Sequence, residues 1–410
     1  MTAVDAQFYW MSAKIPNDDF LIYGFGGVPT DLDAAMARIR DRARRCPDLS
    51  VRLRDGGALA YPQWVPAHVE RDQVARHDVA ELDWQGCLSA IVGMAEDQLD
   101  MREIPWRVHV FAPVAGIPGG GGQGPGSVVA VQVPHALCDG TRASALGAWL
   151  LGRERPVPEV VPIPRGFLPA RAWVAARAHR QLERDIAGGL VSPGAGLRPP
   201  LATNARPEGI PEVRALVRRR SQMAGPTVTV AVLAAIATAL SELLGDAAES
   251  LAAEVPIAKP GVPQANNHYR SATVGLHPKL GRDERMRRIA EELYNARRRF
   301  AHPAVVSTDR AFAAVPAPVL RWGVSKFDPE ARSEQVAGNT VVTSVNRGAA
   351  DLAFGDVPAM VTTGFPELSP VMGLTHGVYG MGDTVAIGVH ASRSAVPDID
   401  AYLRLLGAAL

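Results

Sequence analysis

The chain has 410 residues, of which 47% are hydrophobic and 21% are charged, and its net charge is +1. This composition is that of a globular protein with enough apolar material for two or three domains, and it excludes an intrinsically disordered chain. A net charge so close to zero gives no overall field that would favour nucleic acid or an anionic membrane as a partner.

Targeting and redox signals point to the cytoplasm. The first residues lack the basic and apolar regions of a signal peptide, and no apolar run is long enough to predict a membrane span. The three cysteines, Cys46, Cys87 and Cys138, show no paired spacing and are expected to be free thiols in a reducing compartment. Peripheral contact with a membrane stays open, because a lipid substrate can bring a protein to a surface without a span.

The first half of the chain alternates helical and extended patterns. Apolar residues at intervals of three and four predict a helix over 31–46, with Thr30 as N-cap and Pro47 as its stop. Further helices are predicted over 82–99, 140–151 and 170–185, and strands over 106–111 and 127–133. The two strands are expected to form a hairpin across the Pro- and Gly-rich stretch 113–126.

The second half follows a candidate linker. Residues 188–211 are rich in Gly, Pro and Ala and lack periodicity, so they divide an N-terminal lobe (1–187) from a C-terminal lobe (212–410). Helices are predicted over 226–244, 283–300 and 398–410, and strands over 251–257, 271–276, 335–345, 359–363, 374–379 and 384–390. Because both halves mix helices with strands, the pattern predicts a two-lobed α/β protein.

One short segment carries the clearest chemical signal. The apolar strand that ends at Pro134 is followed by His135, and Asp139-Gly140 comes four residues later. This spacing places an imidazole at the mouth of a sheet, where a base can meet a substrate. Asp139 is then expected to turn the chain into a helix, with Gly140 supplying backbone freedom. The alternative is that His135 is a satisfied core group at a strand end.

His135-Ala136-Leu137-Cys138-Asp139-Gly140 is an HxxxDG pattern, and further segments occur in the order known for one group of enzymes. The chain resembles the HxxxDG acyltransferase superfamily, and within it the bacterial wax ester synthase/diacylglycerol acyltransferase family. The resemblance depends on Val4-Asp5-Ala6-Gln7-Phe8 ("LDAxF"), Pro62-Gln63-Trp64 with His77 ("PxW…H"), Leu99–Trp106 ("LDxxxPLW"), the apolar segment 227–235, and Asn266-Asn267-His268 through Pro278 ("GN…LP").

The resemblance implies two similar α/β lobes arranged as a chloramphenicol-acetyltransferase-like pseudo-dimer, each a mixed sheet with flanking helices. A tunnel between the lobes would pass His135. The implied activity moves an acyl group from a thioester, acyl-CoA or an acyl-carrier protein, to a hydroxyl or amine acceptor, with His135 as general base. Asp139 is expected to be structural, and Gly140 to permit the turn and the approach of backbone N–H groups to the thioester oxygen.

Cofactor and partner predictions follow from the same chemistry. A thioester is already activated, and the histidines lack zinc-ligand spacing, so neither a metal nor a resident cofactor is expected. The expected partners are the small-molecule donor and acceptor and an acidic carrier protein, with no nucleic acid, and the chain is expected to be a monomer or weak dimer.

Two departures from the family pattern favour a specialised acyltransferase over a storage-lipid enzyme. Pro134 stands where the family usually has the first histidine of HHxxxDG, and Thr343–Gly348 replaces the usual "TNVPGP". Ser344 and Asn346 in that segment are candidates for binding donor or acceptor. The alternative for them is a capping turn.

Several other readings stay open. The protein could be a condensation-type enzyme of natural-product biosynthesis, or a degenerate member that acts as a binding module. Cys138 could be a nucleophile beside His135. The arginine-rich segments 285–299 and 218–220 could bind CoA phosphates or a carrier protein, or form a solvated face paired with Glu291 and Glu292. Trp106 is expected to lie in the core, as are most of the histidines His268, His277, His376 and His390.

Overall fold

Two mixed β-sheets form the centre of the fold, and the computed structural model describes residues 1–78, 82–119 and 124–410. The α-helices are α1 (Ala3–Ser12), α2 (Leu32–Arg44), α3 (Trp84–Gly93), α4 (Gly140–Leu150), α5 (Leu168–Ala187), α6 (Val228–Leu244), α7 (Arg282–Phe300), α8 (Pro303–Phe312), α9 (Ala317–Ser325) and α10 (Ile399–Ala409). The strands are β1 (Asp18–Phe25), β2 (Val51–Arg54), β3 (Gln63–Pro66), β4 (Val74–His77), β5 (Leu82–Asp83), β6 (Arg107–Ala115), β7 (Gly126–Pro134), β8 (Glu212–Arg219), β9 (Ala252–Ala258), β10 (Tyr269–Gly275), β11 (Thr340–Asn346), β12 (Ala353–Phe354), β13 (Val357–Phe365), β14 (Leu374–Met381) and β15 (Thr384–Ala391).

The first sheet has the order β12-β13-β1-β7-β6-β4, with β5 also paired to β6. Strand β7 lies antiparallel to both β1 and β6, and every residue along it is buried. This explains why β7 is a nearly continuous run of apolar residues, since both of its faces are covered. The predicted hairpin of β6 and β7 is confirmed, although residues 120–123 of its connection lie outside the described part of the chain.

The second sheet has the order β10-β9-β11-β14-β15-β8, with β11 parallel to β9 and β14. Helices α6, α7 and α10 pack on it and share one hydrophobic core. A two-lobed α/β architecture is therefore confirmed.

One hairpin from the predicted C-terminal lobe (212–410) belongs to the sheet of the N-terminal lobe. Strands β12 and β13 belong to the second half of the chain, yet β13 pairs antiparallel with β1 in the first sheet. The predicted linker 188–211 is also partly built into the second lobe. Asn204 is buried there and donates to the backbone oxygen of Gly338 at 3.0 Å.

Several predicted element boundaries need correction. The N-cap of α2 is Asp31, which accepts from the backbone N–H of Ala34 at 2.8 Å, while Thr30 bonds Asp356 instead. The helix predicted over 82–99 covers only Trp84–Gly93, because the two preceding residues pair with β6 as β5. Helices α1, α8 and α9 and strands β1, β2, β3, β4, β8 and β12 were not predicted.

The apolar helix α6 is a core element. The segment Val228–Ser250 is long and apolar enough to cross a membrane by length and composition. Within the fold, however, Leu233, Ile236 and Leu240 of this helix are fully buried in the core of the second lobe. Its lack of charge therefore reflects burial on nearly all sides.

A buried polar chain runs through the first sheet. His109 Nε2 lies 2.9 Å from Gln132 Oε1, and the Gln132 amide donates to Asp18 Oδ2 at 2.8 Å. His109 Nδ1 lies 2.9 Å from His77 Nε2. Because the Gln132 amide nitrogen is committed to Asp18, its oxygen accepts from His109 Nε2–H, and His109 Nδ1 accepts from His77.

We expect this network to make the fold sensitive to acid. Burial lowers the pKa of His109 from its ordinary 6.5 to about 4, so the unfolded chain binds this proton at a higher pH than the folded protein. The contribution of His109 to stability should therefore fall as the pH drops from 6.5 towards 4, while Asp18, whose pKa burial raises to about 6, contributes in the opposite direction. The measurement is the unfolding free energy from urea titration at pH 7 and at pH 5. On going from pH 7 to pH 5, His109→Gln should lose about 2 kcal/mol less of this free energy than the wild type. Equal losses in the two proteins would contradict this assignment.

Candidate active site

His135 lies at the end of β7, where the chain leaves the first sheet. Its backbone N–H donates to the oxygen of Asn17 at 3.1 Å, which holds the strand end against the start of β1. The side chain keeps 22% of its exposure and lines a cavity of about 320 Å³ between the two sheets. The imidazole is therefore held by the fold and remains accessible to a ligand.

The hydrogen bonds around Asn267 decide the tautomer of His135. The Asn267 side-chain nitrogen donates to Asp5 Oδ1 at 3.1 Å and to the backbone oxygen of His135 at 2.6 Å. Its Oδ1 lies 3.0 Å from His135 Nδ1 and must accept there. The proton thus sits on Nδ1, and Nε2 carries the free lone pair that a base needs.

Asp5 anchors this arrangement from helix α1. The side chain is 2% exposed and accepts from the backbone N–H groups of Asn266 and Asn267 at 3.2 and 3.0 Å. Burial raises the pKa of Asp5, and four hydrogen bonds oppose that rise. The segments that resemble "LDAxF" and "GN…LP" therefore meet at His135, a contact that sequence reasoning did not place.

Aromatic rings cover one side of the imidazole. Phe8 stacks on His135 with ring centroids 4.7 Å apart and an interplanar angle of 15°, and the Tyr269 ring lies 6.2 Å away. These contacts restrict rotation of the imidazole.

Asp139 joins the two lobes. Its Oδ1 caps α4 by accepting from the backbone N–H of Arg142 at 2.9 Å, and its Oδ2 accepts from the backbone N–H of His268 at 2.9 Å. Both carboxylate oxygens are thus used by backbone donors, which agrees with the structural role expected for this residue. The Arg142 guanidinium turns away and binds Asp48 at 2.6 Å, so it is not a partner of Asp139.

Gly140 lies where the start of α4 approaches strand β11 of the second lobe. A Cβ at this position would lie 3.3 Å from Val345 Cγ2 on β11. Gly140 is not among the glycines with positive φ in the described residues, so the turn does not use a left-handed backbone here. What the position requires is a small residue where α4 meets the second sheet.

The segment 343–348 contributes four residues to the cavity, Thr343, Ser344, Val345 and Arg347, whereas Asn346 does not line it. Ser344 lines it and bonds Thr229 Oγ1 at 2.8 Å. Asn346 is exposed, and its Oδ1 accepts from the backbone N–H of Gly348 at 3.0 Å, as the capping-turn alternative requires. Sequence reasoning missed the next residue, Arg347, which lines the cavity and is only 4% exposed.

Arg347 is a buried cation held by neutral groups. Its guanidinium donates to Thr362 Oγ1 and, at 3.0 Å, to the backbone oxygen of Thr363. It lies 4.4 Å from the ring centre of Tyr379 and 5.2 Å from that of Tyr23. Its Nε is buried without a hydrogen-bond partner.

Three further acidic side chains line the same cavity as Asp139, and none of these three was predicted. Asp19 Oδ2 lies 3.6 Å from His135 Nε2, and its side chain is 23% exposed. Burial raises the pKa of Asp19, while the nearby His135 lowers it. Glu367 also lines the cavity, where burial raises its pKa well above the ordinary value, and Glu254 lies on the β9 wall.

The remaining candidates lie away from this chemistry. Cys138 is fully buried, and burial raises the pKa of its thiol well above the usual value, which disfavours a thiolate nucleophile. Trp106 is in the core and donates to the backbone oxygen of Leu49 at 2.8 Å. His376 bonds Tyr402 and Thr340, His390 bonds Pro366, and His277 pairs with Glu292, so these three have structural partners.

The arginines of α7 divide between two roles. Arg287 and Arg288 pair with Glu291 on the exposed face. Arg285 is buried and donates to the backbone oxygens of His277 and Pro278, which follow β10. Glu292 binds His277, not the arginines expected from the sequence. Among residues 1–78, 82–119 and 124–410, no group of three His, Cys, Asp or Glu side chains is placed to hold a metal ion.

Solved structures share this architecture. The wax ester synthase/diacylglycerol acyltransferase from Marinobacter aquaeolei VT8 superposes with a TM-score of 0.61 at 18% identity, covering 99% of this chain and 96% of that one. A mutant of the starter condensation domain of rhizomide synthetase RzmA, in complex with C8-CoA and Leu-SNAC, gives 0.59 at 13% identity, covering 100% and 93%. The chain has a condensation-domain-like fold. No protein-family model and no curated protein matches it.

Because the Asp139 carboxylate accepts from backbone N–H groups of both lobes, we expect its removal to lower the stability of the protein considerably. Asp139→Ala should lower the unfolding free energy by about 2–3 kcal/mol, because it deletes a helix cap and leaves the buried N–H of His268 without its partner. Asp398→Ala is the matched control, since Asp398 caps α10 through Ala401 on an exposed surface. It should lose about 1 kcal/mol in the same denaturant titration. Equal losses would show that the bond between lobes adds nothing.

Proposed function

We propose that the protein is an acyltransferase that moves an acyl group from a thioester donor to a hydroxyl or amine acceptor, with His135 Nε2 as general base. The observation that carries this proposal is the fixed tautomer of His135. Asn267 holds the proton on Nδ1, so the lone pair of Nε2 faces the cavity. The shared fold supports the same class of reaction.

The proposed steps use only this chain's residues and two substrates. His135 Nε2 takes the proton of the acceptor as the acceptor attacks the thioester carbonyl. The carbon–sulfur bond then breaks, and the imidazolium returns the proton to the departing thiolate. The Nδ1–H bond to Asn267 holds the ring throughout, and Asp5 fixes the Asn267 amide. A thioester is already activated, so this proposal includes no metal and no resident cofactor.

Acyl-CoA is the proposed donor, and a carrier-protein thioester is the second candidate. One structural neighbour was solved with C8-CoA, which makes a medium-chain acyl-CoA a reasonable first probe for this chain. A carrier protein would need a basic docking surface. The exposed arginines Arg297 and Arg298 at the end of α7 are candidates for that contact. The buried free thiols suit an enzyme of the cytoplasm.

The test is a donor and acceptor screen with purified protein. Acyl-CoAs and acyl-carrier proteins are offered with pooled alcohols and amines, and products are identified by mass spectrometry. Wild type should form an ester or amide, and His135→Ala should lower the rate by about 10²–10⁴-fold. Cys138→Ala is the control and should keep the activity, since that thiol is fully buried.

Two results would contradict the proposal. Equal rates from wild type and His135→Ala would exclude His135 as the base. The absence of any product from folded wild-type protein, with every donor and acceptor, would refute acyl transfer and favour a binding module.

A further inference from the structure

The cavity beside His135 Nε2 has an unusual charge pattern for a site that takes a neutral alcohol. Asp19, Glu254 and Glu367 all line it. Asp19 has His135 as its neighbour at ion-pair distance, and Glu367 Oε1 is buried without a hydrogen-bond partner. Carboxylates held this way are costly to bury, and a cation in the cavity would offset that cost.

We propose that the acceptor is a primary amine that enters as an ammonium ion, and that Asp19 binds this ion and takes its first proton before His135 acts. The inference rests on the proposed function and narrows it from hydroxyl or amine to amine. It assigns Asp19 as a further catalytic residue, because this side chain would touch the reacting nitrogen.

The separation of Asp19 and His135 fits such a ligand. The 3.6 Å between Asp19 Oδ2 and His135 Nε2 is too long for a direct hydrogen bond. A nitrogen placed about 2.8 Å from each atom could donate to both, and an ammonium ion has three N–H groups to do so. The same nitrogen would then lie where the base must act.

Proton counting explains why an amine needs both groups. An alcohol loses one proton as it attacks, which His135 alone can take, whereas an ammonium ion must lose two. In the first step Asp19 accepts a proton and leaves a neutral amine. In the second step the amine nitrogen bonds to the thioester carbonyl carbon, and the next proton of the nitrogen passes to His135 Nε2. The carbon–sulfur bond then breaks, and His135 gives this proton to the departing thiolate, which leaves as the thiol. Asp19 then releases its proton to water through its exposed edge, so each turnover yields amide, thiol and one proton.

Arg347 is an independent observation that the cavity is built for a polar ligand. Arg347 is 4% exposed, lines the same cavity as the acidic residues, and has its Nε buried without a hydrogen-bond partner. A ligand without polar groups would leave Arg347 Nε and Glu367 Oε1 without hydrogen-bond partners. An amine acceptor brings N–H donors, from which a carboxylate oxygen such as Glu367 Oε1 can accept a hydrogen bond.

The experiment compares acceptors of matched length with octanoyl-CoA as donor. Hexylamine, 1-hexanol and O-hexylhydroxylamine are offered to wild type, Asp19→Asn and the exposed control Asp246→Asn, with thiol release and product mass as readouts. Wild type and the control should prefer hexylamine to hexanol. Asp19→Asn should lower kcat/KM for hexylamine by about 10²-fold and change hexanol transfer little. O-hexylhydroxylamine, which is neutral at pH 7, should rescue the variant because it has no first proton to lose.

Three outcomes would overturn the inference: wild type esterifies hexanol as fast as it acylates hexylamine; Asp19→Asn lowers both reactions equally; or O-hexylhydroxylamine gives no rescue. Asp19→Glu keeps the carboxylate and should keep the amine preference, which provides a second variant if Asp19→Asn does not fold. Failure of the proposed function would look different, since wild type would then transfer no acyl group to any acceptor.

Discussion

The site depends on the orientation of one side-chain amide. Asn267 donates to Asp5 and to the backbone of His135, and these two bonds leave its oxygen facing His135 Nδ1. If the amide were reversed, its NH₂ group would face Nδ1, the proton would move to Nε2, and the lone pair would be lost from the cavity side. A buried carboxylate that does not line this cavity, that of Asp5, thus determines which imidazole nitrogen can act as a base.

The same segment also joins the lobes, so the site forms only when they are docked. The backbone N–H of His268 donates to the Asp139 carboxylate, and the backbone N–H of Asp139 donates to the backbone oxygen of Asn266. The Asn267 side chain donates to the backbone oxygen of His135. These bonds connect the end of β7 and the start of α4 with the entry to β10. The segment 266–268, which leads into the second sheet, therefore positions His135, which the first sheet carries. Gly140 lets the two approach closely enough for this contact.

The sequence predicted the local parts of this site and not the distant ones. The strand, turn and helix around His135 and Asp139 follow from patterns within a dozen residues. Asp5 and Asn267 lie 262 positions apart, and no local pattern reports that they touch. Strand β1 was missed because it is buried along most of its length and lacks the alternation of apolar and polar residues that marks a half-buried strand. Without that strand, nothing in the sequence placed Asp19 near His135. The sheet to which β13 belongs likewise depends on pairing with β1, which periodicity does not encode.

Charge and solvent access together decide what this cavity can accept. A general base works best where water is scarce, yet an acceptor that arrives with an extra proton needs a route by which that proton can leave. Phe8 stacks on one face of His135, and the His135 and Asp19 side chains keep similar exposed fractions, 22% and 23%. In the proposed reaction the two groups have different tasks: the imidazole acts at the bond-forming step, and the carboxylate exchanges the first proton with water. A cavity for a neutral lipid alcohol has no use for that second group, and its presence argues for an acceptor that binds as a cation.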